Sequence, residues 1–170
     1  MDARAKLLGH PIHQMLIVFP LGLLATSFFF DIALLITRRG ELETVAYWMI
    51  FAGVISGLLA AVFGFIDWLS IPQNTRARAI GVWHGLGNVV VTLLFAVSWF
   101  TRHASPNAPP PTAFFLSGVA VCIALVTGWL GGELVDRLGV GVDDGAHLNA
   151  PSSLSGRPAS EGSRTHHIGT

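Results

Sequence analysis

Four long apolar runs with almost no charge are the feature that most limits what this chain can fold into. Asp31 is the one charged side chain in these runs. The other titratable side chains in them are His84, Tyr47 and Cys122. Each run is close to the ~20 residues that a helix needs to cross the ~30 Å hydrocarbon core of a bilayer. The runs are Met15–Thr37, Val45–Ile66, Ile80–Phe100 and Thr112–Gly132.

The composition also indicates a membrane protein. Hydrophobic residues make up 52% of the chain and charged residues 12%, whereas soluble domains contain roughly 25% charged residues. We therefore expect an all-α, polytopic fold in which residues 1–142 form an up-and-down bundle of four transmembrane helices. The expected helices cover about 13–37, 45–68, 79–100 and 112–135. Residues 143–170, rich in Gly, Ser, Pro and Ala, are predicted to be a disordered tail.

The basic residues predict the orientation of the bundle. Most of them fall on the side that carries both termini, whereas Arg38, Arg39 and Arg102 fall on the other side. The positive-inside rule therefore places both termini in the cytoplasm. The lipid bilayer is the expected partner, and a formal net charge of zero gives no indication of nucleic-acid binding.

Titratable side chains collect at one end of the predicted bundle. His10 and His13 precede or begin the first span, Asp67 ends the second, His84 begins the third and Glu133 ends the fourth. An up-and-down topology brings these five groups into the cytoplasmic leaflet. Because ionisable groups at membrane depth are costly and usually functional, we predict a functional site there.

Three interpretations of this cluster remain open from the sequence. Neutral imidazole ligates haem iron and first-row metals, so His84 with His13 or His10 is a candidate pair for one haem b. In a cofactor-free protein, water, helix caps and ion pairs would instead satisfy the same groups. The third interpretation is a non-haem metal site with candidate ligands His10, His13, His84, Asp67 and Glu133.

Three more residues are candidates for the site. Asn88 shares the small-residue face of His84, and Trp129 adjoins the glycines before Glu133. Asp31 lies about five helical turns beyond His13, which is the same helix face roughly 27 Å away.

Asp31 has two predicted roles. One is a proton or ion contact in the outer leaflet, and the other is a buried pair with Arg38 or Arg39.

The two predicted hairpins are weakly similar to each other. Each begins with histidine, at His13 or His84, and ends with an acid, at Asp67 or Glu133. Parallel repeats of this kind place equivalent groups around an axis along the membrane normal.

The sequence contains no sign of a self-sufficient enzyme. It has no nucleophile with a paired base and no phosphate-cradling loop, and the single Cys122 excludes an intrachain disulfide and a thiolate zinc site. We therefore expect either a redox membrane subunit or a structural, partner-docking membrane protein. The expected protein partner is a redox protein or a second copy of the chain.

Several short motifs, in order along the chain, resemble the bacterial membrane family catalogued as domain of unknown function 2231. This resemblance covers about residues 7–142 and implies a four-helix protein of the bacterial inner membrane, some of whose relatives are joined to Rieske-type redox domains. After the fourth span the family often reads Tyr-Arg-His-Gly, whereas this chain has DRLG at Asp136–Gly139, so no ligand role is carried over there. The motifs are LGHPIH at Leu8–His13, FPLG at Phe19–Gly22, FGFIDW at Phe63–Trp68, HGLGN at His84–Asn88 and GWLGGEL at Gly128–Leu134.

Overall fold

The computed structural model describes residues 1–103 and 109–162. Within these residues, four helices are long and apolar enough to cross a membrane. The all-α, four-span prediction is therefore confirmed, and α2 and α3 continue a few residues beyond their predicted ends. The helices are α1 Ile12–Thr37, α2 Glu41–Ser70, α3 Arg76–His103 and α4 Pro111–Arg137.

Local backbone chemistry sets several of the helix ends. Pro111 occupies the first turn of α4, where its missing N–H is no loss. Ile71 is extended because it precedes Pro72, which ends α2. Arg38 adopts a left-handed conformation, with φ 59°, and ends α1.

Two short irregular pieces lie at the end of the bundle that carries the N-terminus and the end of α4. This end is called the inner end, and the opposite end is called the outer end. An antiparallel hairpin of β1 Lys6–Leu7 and β2 His10–Pro11 leads into α1. The last turn of α4, Glu133–Arg137, is a π-helix, a form that is often found at functional sites.

Consecutive helices pack into two hairpins, α1 with α2 and α3 with α4, and the ring is closed by α2 against α3 and α1 against α4. Large side chains such as Phe29, Phe100 and Leu125 remain exposed on the outside, as expected for a surface that faces lipid. The buried core is formed by Leu24, Ile50, Val91, Phe95 and Ala120.

The buried positions of the two hairpins correspond to each other. Asp31 and Arg102 lie 71 residues apart, and the same spacing relates Leu24 to Phe95 and Ser27 to Ser98. All six side chains are buried. The second helices match at one other constant spacing, in the buried pairs Ala46 and Ala113, Ile50 and Ser117, Gly53 and Ala120, and Ala60 and Thr127. The bundle is thus a repeated hairpin with a pseudo-twofold axis along the membrane normal.

The described part of the tail, residues 143–162, contains one 3-10 turn, Ser153–Ser155, and no α-helix or strand. It contacts the N-terminal segment, because Asp143 pairs with Lys6 and Ser153 Oγ donates to the Leu8 carbonyl at 3.0 Å. Residues 163–170 of the predicted tail lie outside the described residues.

Candidate functional site

His13 and His84 lie next to each other in the inner half of the bundle. His13 is in the first turn of α1 and His84 is in the third turn of α3, so each hairpin contributes one imidazole. The ring centroids are 6.4 Å apart and the ring planes are nearly perpendicular, at 88°. The topology therefore brings together the two histidines that are equivalent in the repeat.

A main-chain carbonyl holds each imidazole in the same way. His13 Nδ1 lies 2.9 Å from the Ala60 carbonyl, and His84 Nδ1 lies 2.8 Å from the Thr127 carbonyl. A carbonyl can only accept a hydrogen bond, so the proton of each neutral ring is on Nδ1. Each Nε2 atom therefore carries a lone pair, which is the form of imidazole that binds a metal.

Glycine leaves the room that these rings occupy. A Cβ atom at Gly64 would lie 2.8 Å from His13 Cε1, and one at Gly131 would lie 3.0 Å from His84 Cε1. Each glycine comes one turn after the residue whose carbonyl holds the ring. The small residues on α2 and α4 therefore fix where the imidazoles sit, in addition to allowing close helix packing.

Asn88 contacts His84, as the sequence indicated. Its Nδ2 atom lies 3.2 Å from His84 Nε2 and donates to the His84 carbonyl at 2.9 Å. Thr127 Oγ1 donates to Asn88 Oδ1 at 3.1 Å, which ties α3 to α4. The two imidazoles thus differ, since within the described residues His13 Nε2 makes no comparable hydrogen bond.

His10 lies apart from this pair. It is exposed on β2, and its Nε2 atom is 3.3 Å from Ser153 Oγ. Of the two candidate companions for His84, the structure brings only His13 close to it.

Asp67 and Glu133 have other partners. Asp67 Oδ1 accepts hydrogen bonds from the main-chain N–H groups of Arg4 and Ala5, at 2.8 and 2.9 Å. Glu133 Oε1 accepts from Arg76 Nη2 at 2.5 Å. Asp67 therefore ties the N-terminal segment to the end of α2, and Glu133 ties the end of α4 to the start of α3.

The structure does not bring the five candidate metal ligands together. In the part of the chain that the structure describes, no three His, Cys, Asp or Glu side chains are placed to hold one ion. The reason is that Asp67 and Glu133 are hydrogen-bonded to other groups of the chain, and His10 lies on the N-terminal hairpin. Trp129 is 66% exposed, so it lies on the outer surface of the bundle and not in the site.

A further ion pair joins the N-terminal segment to the chain after α4. The hydrogen bond between Lys6 and Asp143 raises the pKa of Lys6 and lowers the pKa of Asp143. The amino group of Met1 also donates to the Gly139 carbonyl at 3.0 Å. Both contacts hold the N-terminal segment against the end of α4.

The outer half of the bundle contains a second polar cluster, centred on Arg102. The predicted pairing of Asp31 with Arg38 or Arg39 is wrong, because Arg102 takes that place. Its Nη1 and Nη2 atoms donate to Asp31 Oδ1 and Oδ2 at 2.8 and 2.6 Å. Arg38 and Arg39 follow the end of α1 and are exposed, whereas Arg102 lies within α3 on its buried face.

The remaining donors of Arg102 also have partners. Nη1 donates to Glu43 Oε2 at 3.0 Å, and Nε and Nη2 reach the hydroxyls of Ser98 and Ser117 at 3.3 Å. Asp31, Glu43 and Arg102 have side-chain exposures of 1%, 0% and 0%. The cluster thus joins all four helices in the outer half of the bundle.

The sequence reasoning missed Glu43 and Arg102 as site residues because both lie just beyond the apolar runs. One signal pointed to Arg102, although none pointed to Glu43: Arg102 follows His84 by the same number of residues as Asp31 follows His13. The hairpin repeat therefore places an acid and a base at equivalent positions, where they can pair across the axis.

Comparison of the sequence with known proteins identifies a family. No curated protein and no solved structure matched the chain. The sequence pattern of the family described as "Predicted membrane protein (DUF2231)" matches residues 9–144, which include the four helices and both polar clusters. The chain therefore belongs to the DUF2231 family of predicted membrane proteins.

Proposed function

We propose that the protein is a membrane redox subunit that binds one b-type haem through His13 and His84. The observation that carries this proposal is the imidazole pair itself, with one ring from each hairpin and a centroid separation of 6.4 Å. Two metal–nitrogen bonds of ~2.0–2.1 Å would place the centroids of two axial imidazoles roughly 6 Å apart. The centroid separation of 6.4 Å in the structure fits that arrangement.

The donor set favours haem over a free metal ion. Structural zinc is almost always four-coordinate in proteins, and among residues 1–103 and 109–162 only two imidazoles come together here. Haem supplies four ring nitrogens of its own and needs only axial ligands from the protein. Ligand histidines usually donate their other ring N–H to a carbonyl or carboxylate, as His13 and His84 do to Ala60 and Thr127.

A cofactor-free function is the second candidate, and one observation favours it. His84 can satisfy both ring nitrogens within the protein, through the Thr127 carbonyl and the Asn88 amide. The network would then only pin α3 to α4, as interhelical hydrogen bonds do in membranes. In that case the protein would serve as a structural or partner-docking component.

Optical spectra and metal analysis of the purified protein distinguish the two candidates. The haem proposal predicts a Soret band with one iron per chain, lost in His13→Ala and in His84→Ala. The matched controls are His10→Ala and His103→Ala, which should keep the band. A colourless, iron-free protein from haem-replete cells would contradict the proposal. Another metal in stoichiometric amount would show that the site binds that ion and not haem.

The proposed location is the bacterial inner membrane, with both termini in the cytoplasm. The family match and the four spans support a bilayer protein, and the distribution of basic residues supports the orientation. Electrons would then come from a separate redox protein. A second copy of the chain is the alternative protein partner, as part of a homo-oligomer.

A further inference from the structure

The outer cluster has more negative than positive charge when all its groups are ionised. Asp31 and Glu43 supply two carboxylates, and Arg102 supplies one guanidinium. These three side chains are essentially inaccessible to solvent, so water and salt cannot screen the excess negative charge. A buried charge without compensation is costly, and the usual escape is to neutralise the group.

No other cation contacts the cluster within the described residues. From α4 it receives the Ser117 hydroxyl, and from α1 it receives Asp31. From α3, His103 follows Arg102, but its Nδ1 atom is 2.9 Å from Tyr47 Oη at the surface. On α2 itself, Glu41 is exposed and lies near Arg39.

The hydrogen bonds identify the carboxyl that lacks a partner. The five N–H groups of Arg102 can be assigned to Asp31, Glu43, Ser98 and Ser117, with two for Asp31. Asp31 accepts at both oxygens, whereas Glu43 accepts only at Oε2. Glu43 Oε1 is buried and has no hydrogen-bond partner in the described residues.

The helix dipole offsets only part of the excess charge. Glu43 lies in the first turn of α2, where the helix end carries roughly half a positive charge. About half a negative charge therefore remains without compensation in the cluster.

We propose that the outer cluster is a proton-binding site in which Glu43 holds one proton at neutral pH. Asp31 is the anion that Arg102 binds at both oxygens, and Glu43 is a neutral acid beside them. The proton exchanges with the aqueous phase at this end of the bundle, since Tyr47, one helical turn after Glu43, is hydrogen-bonded to the exposed His103 next to Arg102. This site does not depend on whether the protein binds haem.

Infrared spectroscopy of the full-length protein tests the proposal. The wild type at neutral pH should show the C=O band of one protonated carboxylic acid, with the small shift expected in deuterated water. Glu43→Gln should remove this band while the protein stays folded, because a neutral amide replaces a neutral acid. Glu41→Gln, an exposed acid in the same helical turn, is the matched control and should keep the band.

A second variant tests the charge argument separately. Asp31→Asn removes one negative charge, so Glu43 should then ionise as the counterion of Arg102 and the band should disappear. The proposal is overturned if the wild type shows no band, or if the band persists in Glu43→Gln or in Asp31→Asn. The proposal is also overturned if Na⁺ or K⁺ raises the melting temperature of the wild type but not of Asp31→Asn. A metal cation would then take the place of the proton in the cluster. If a variant does not fold, the wild-type spectrum alone still tests the proposal, because absence of the band would overturn it.

Discussion

Arg102 is the residue on which the outer half of the bundle depends most. Its guanidinium contacts side chains from all four helices, including the carboxylates of Asp31 and Glu43. Hydrogen bonds between membrane helices average only ~0.6 kcal/mol. Removing one partner of a buried ion pair costs more, because it leaves the opposite charges buried and unpaired.

We therefore expect Arg102→Met to destabilise the protein by roughly 3–5 kcal/mol. The measurement is thermal or denaturant unfolding in detergent micelles, compared with the wild type. Arg39→Met is the matched control, and its effect should be within about 0.5 kcal/mol because Arg39 is exposed. Equal stability of the two variants would contradict the structural role of Arg102.

Asp67 provides a second prediction for a single residue. Its Oδ1 atom accepts from two main-chain N–H groups of the N-terminal segment, so Asp67→Ala should speed amide exchange at Arg4 and Ala5. Asp67→Asn keeps an acceptor oxygen and should have a smaller effect. A change in any bound metal or haem on Asp67→Ala, with no change in exchange, would instead indicate a ligand role.

At the level of helices, glycine positions determine how closely each imidazole can approach. Gly64 on α2 and Gly131 on α4 lie directly against His13 and His84. The stripes of small residues were visible in the sequence, but their contacts with the imidazoles depend on how each helix is rotated against its neighbour.

Alanine at either of these glycines should move an imidazole and weaken the site. We expect Gly64→Ala and Gly131→Ala each to reduce haem retention by about tenfold or more, as changes that disturb ligand positioning do. Gly128→Ala is the matched control on α4, since nothing lies within 4 Å of its added Cβ atom. Full haem retention in Gly64→Ala and Gly131→Ala, measured by the Soret absorbance per chain, would contradict this account of the ring positions.

The sequence predicted the positions of the helices better than it predicted which polar side chains pair with each other. An apolar run marks the part of a helix within the hydrocarbon, so the four spans could be recognised but their polar ends could not. Glu43 and Arg102 lie in those ends and were assigned to connecting segments. The partners of Asp67 were also unpredictable, because Arg4 and Ala5 lie in an N-terminal segment without helical periodicity. An ion pair with a nearby arginine was among the expected partners of Glu133, and Arg76 at the start of α3 provides it.

The whole molecule is a repeated hairpin with polar groups paired across its axis at two levels. The histidine pair lies in the inner half, and the Asp31–Arg102 pair lies about five helical turns further out, roughly 27 Å away. The corresponding buried positions of the two hairpins show that one packing arrangement is used twice. The weak repeat in the sequence pointed to this symmetry. The packing of the helices shows which equivalent residues contact each other, namely His13 with His84 and Asp31 with Arg102.

The orientation of the molecule can be tested with reporter fusions in a bacterial host. A fluorescent protein fused at the C-terminus should fluoresce, and alkaline phosphatase inserted after Gly40 should be active, because cytoplasmic termini place that loop outside. The control is phosphatase fused after the last residue, which should be inactive. The opposite pattern would show that the single Arg38-Arg39 pair outweighs the other basic residues.

The most direct test of the central claim is the amount of haem per chain in protein purified from haem-replete membranes. If His13 and His84 form a bis-imidazole site, the wild type should contain one haem per chain. His13→Ala and His84→Ala should each lose it while they remain folded. Haem content far below one per chain in the wild type, or unchanged content in both variants, would contradict the claim.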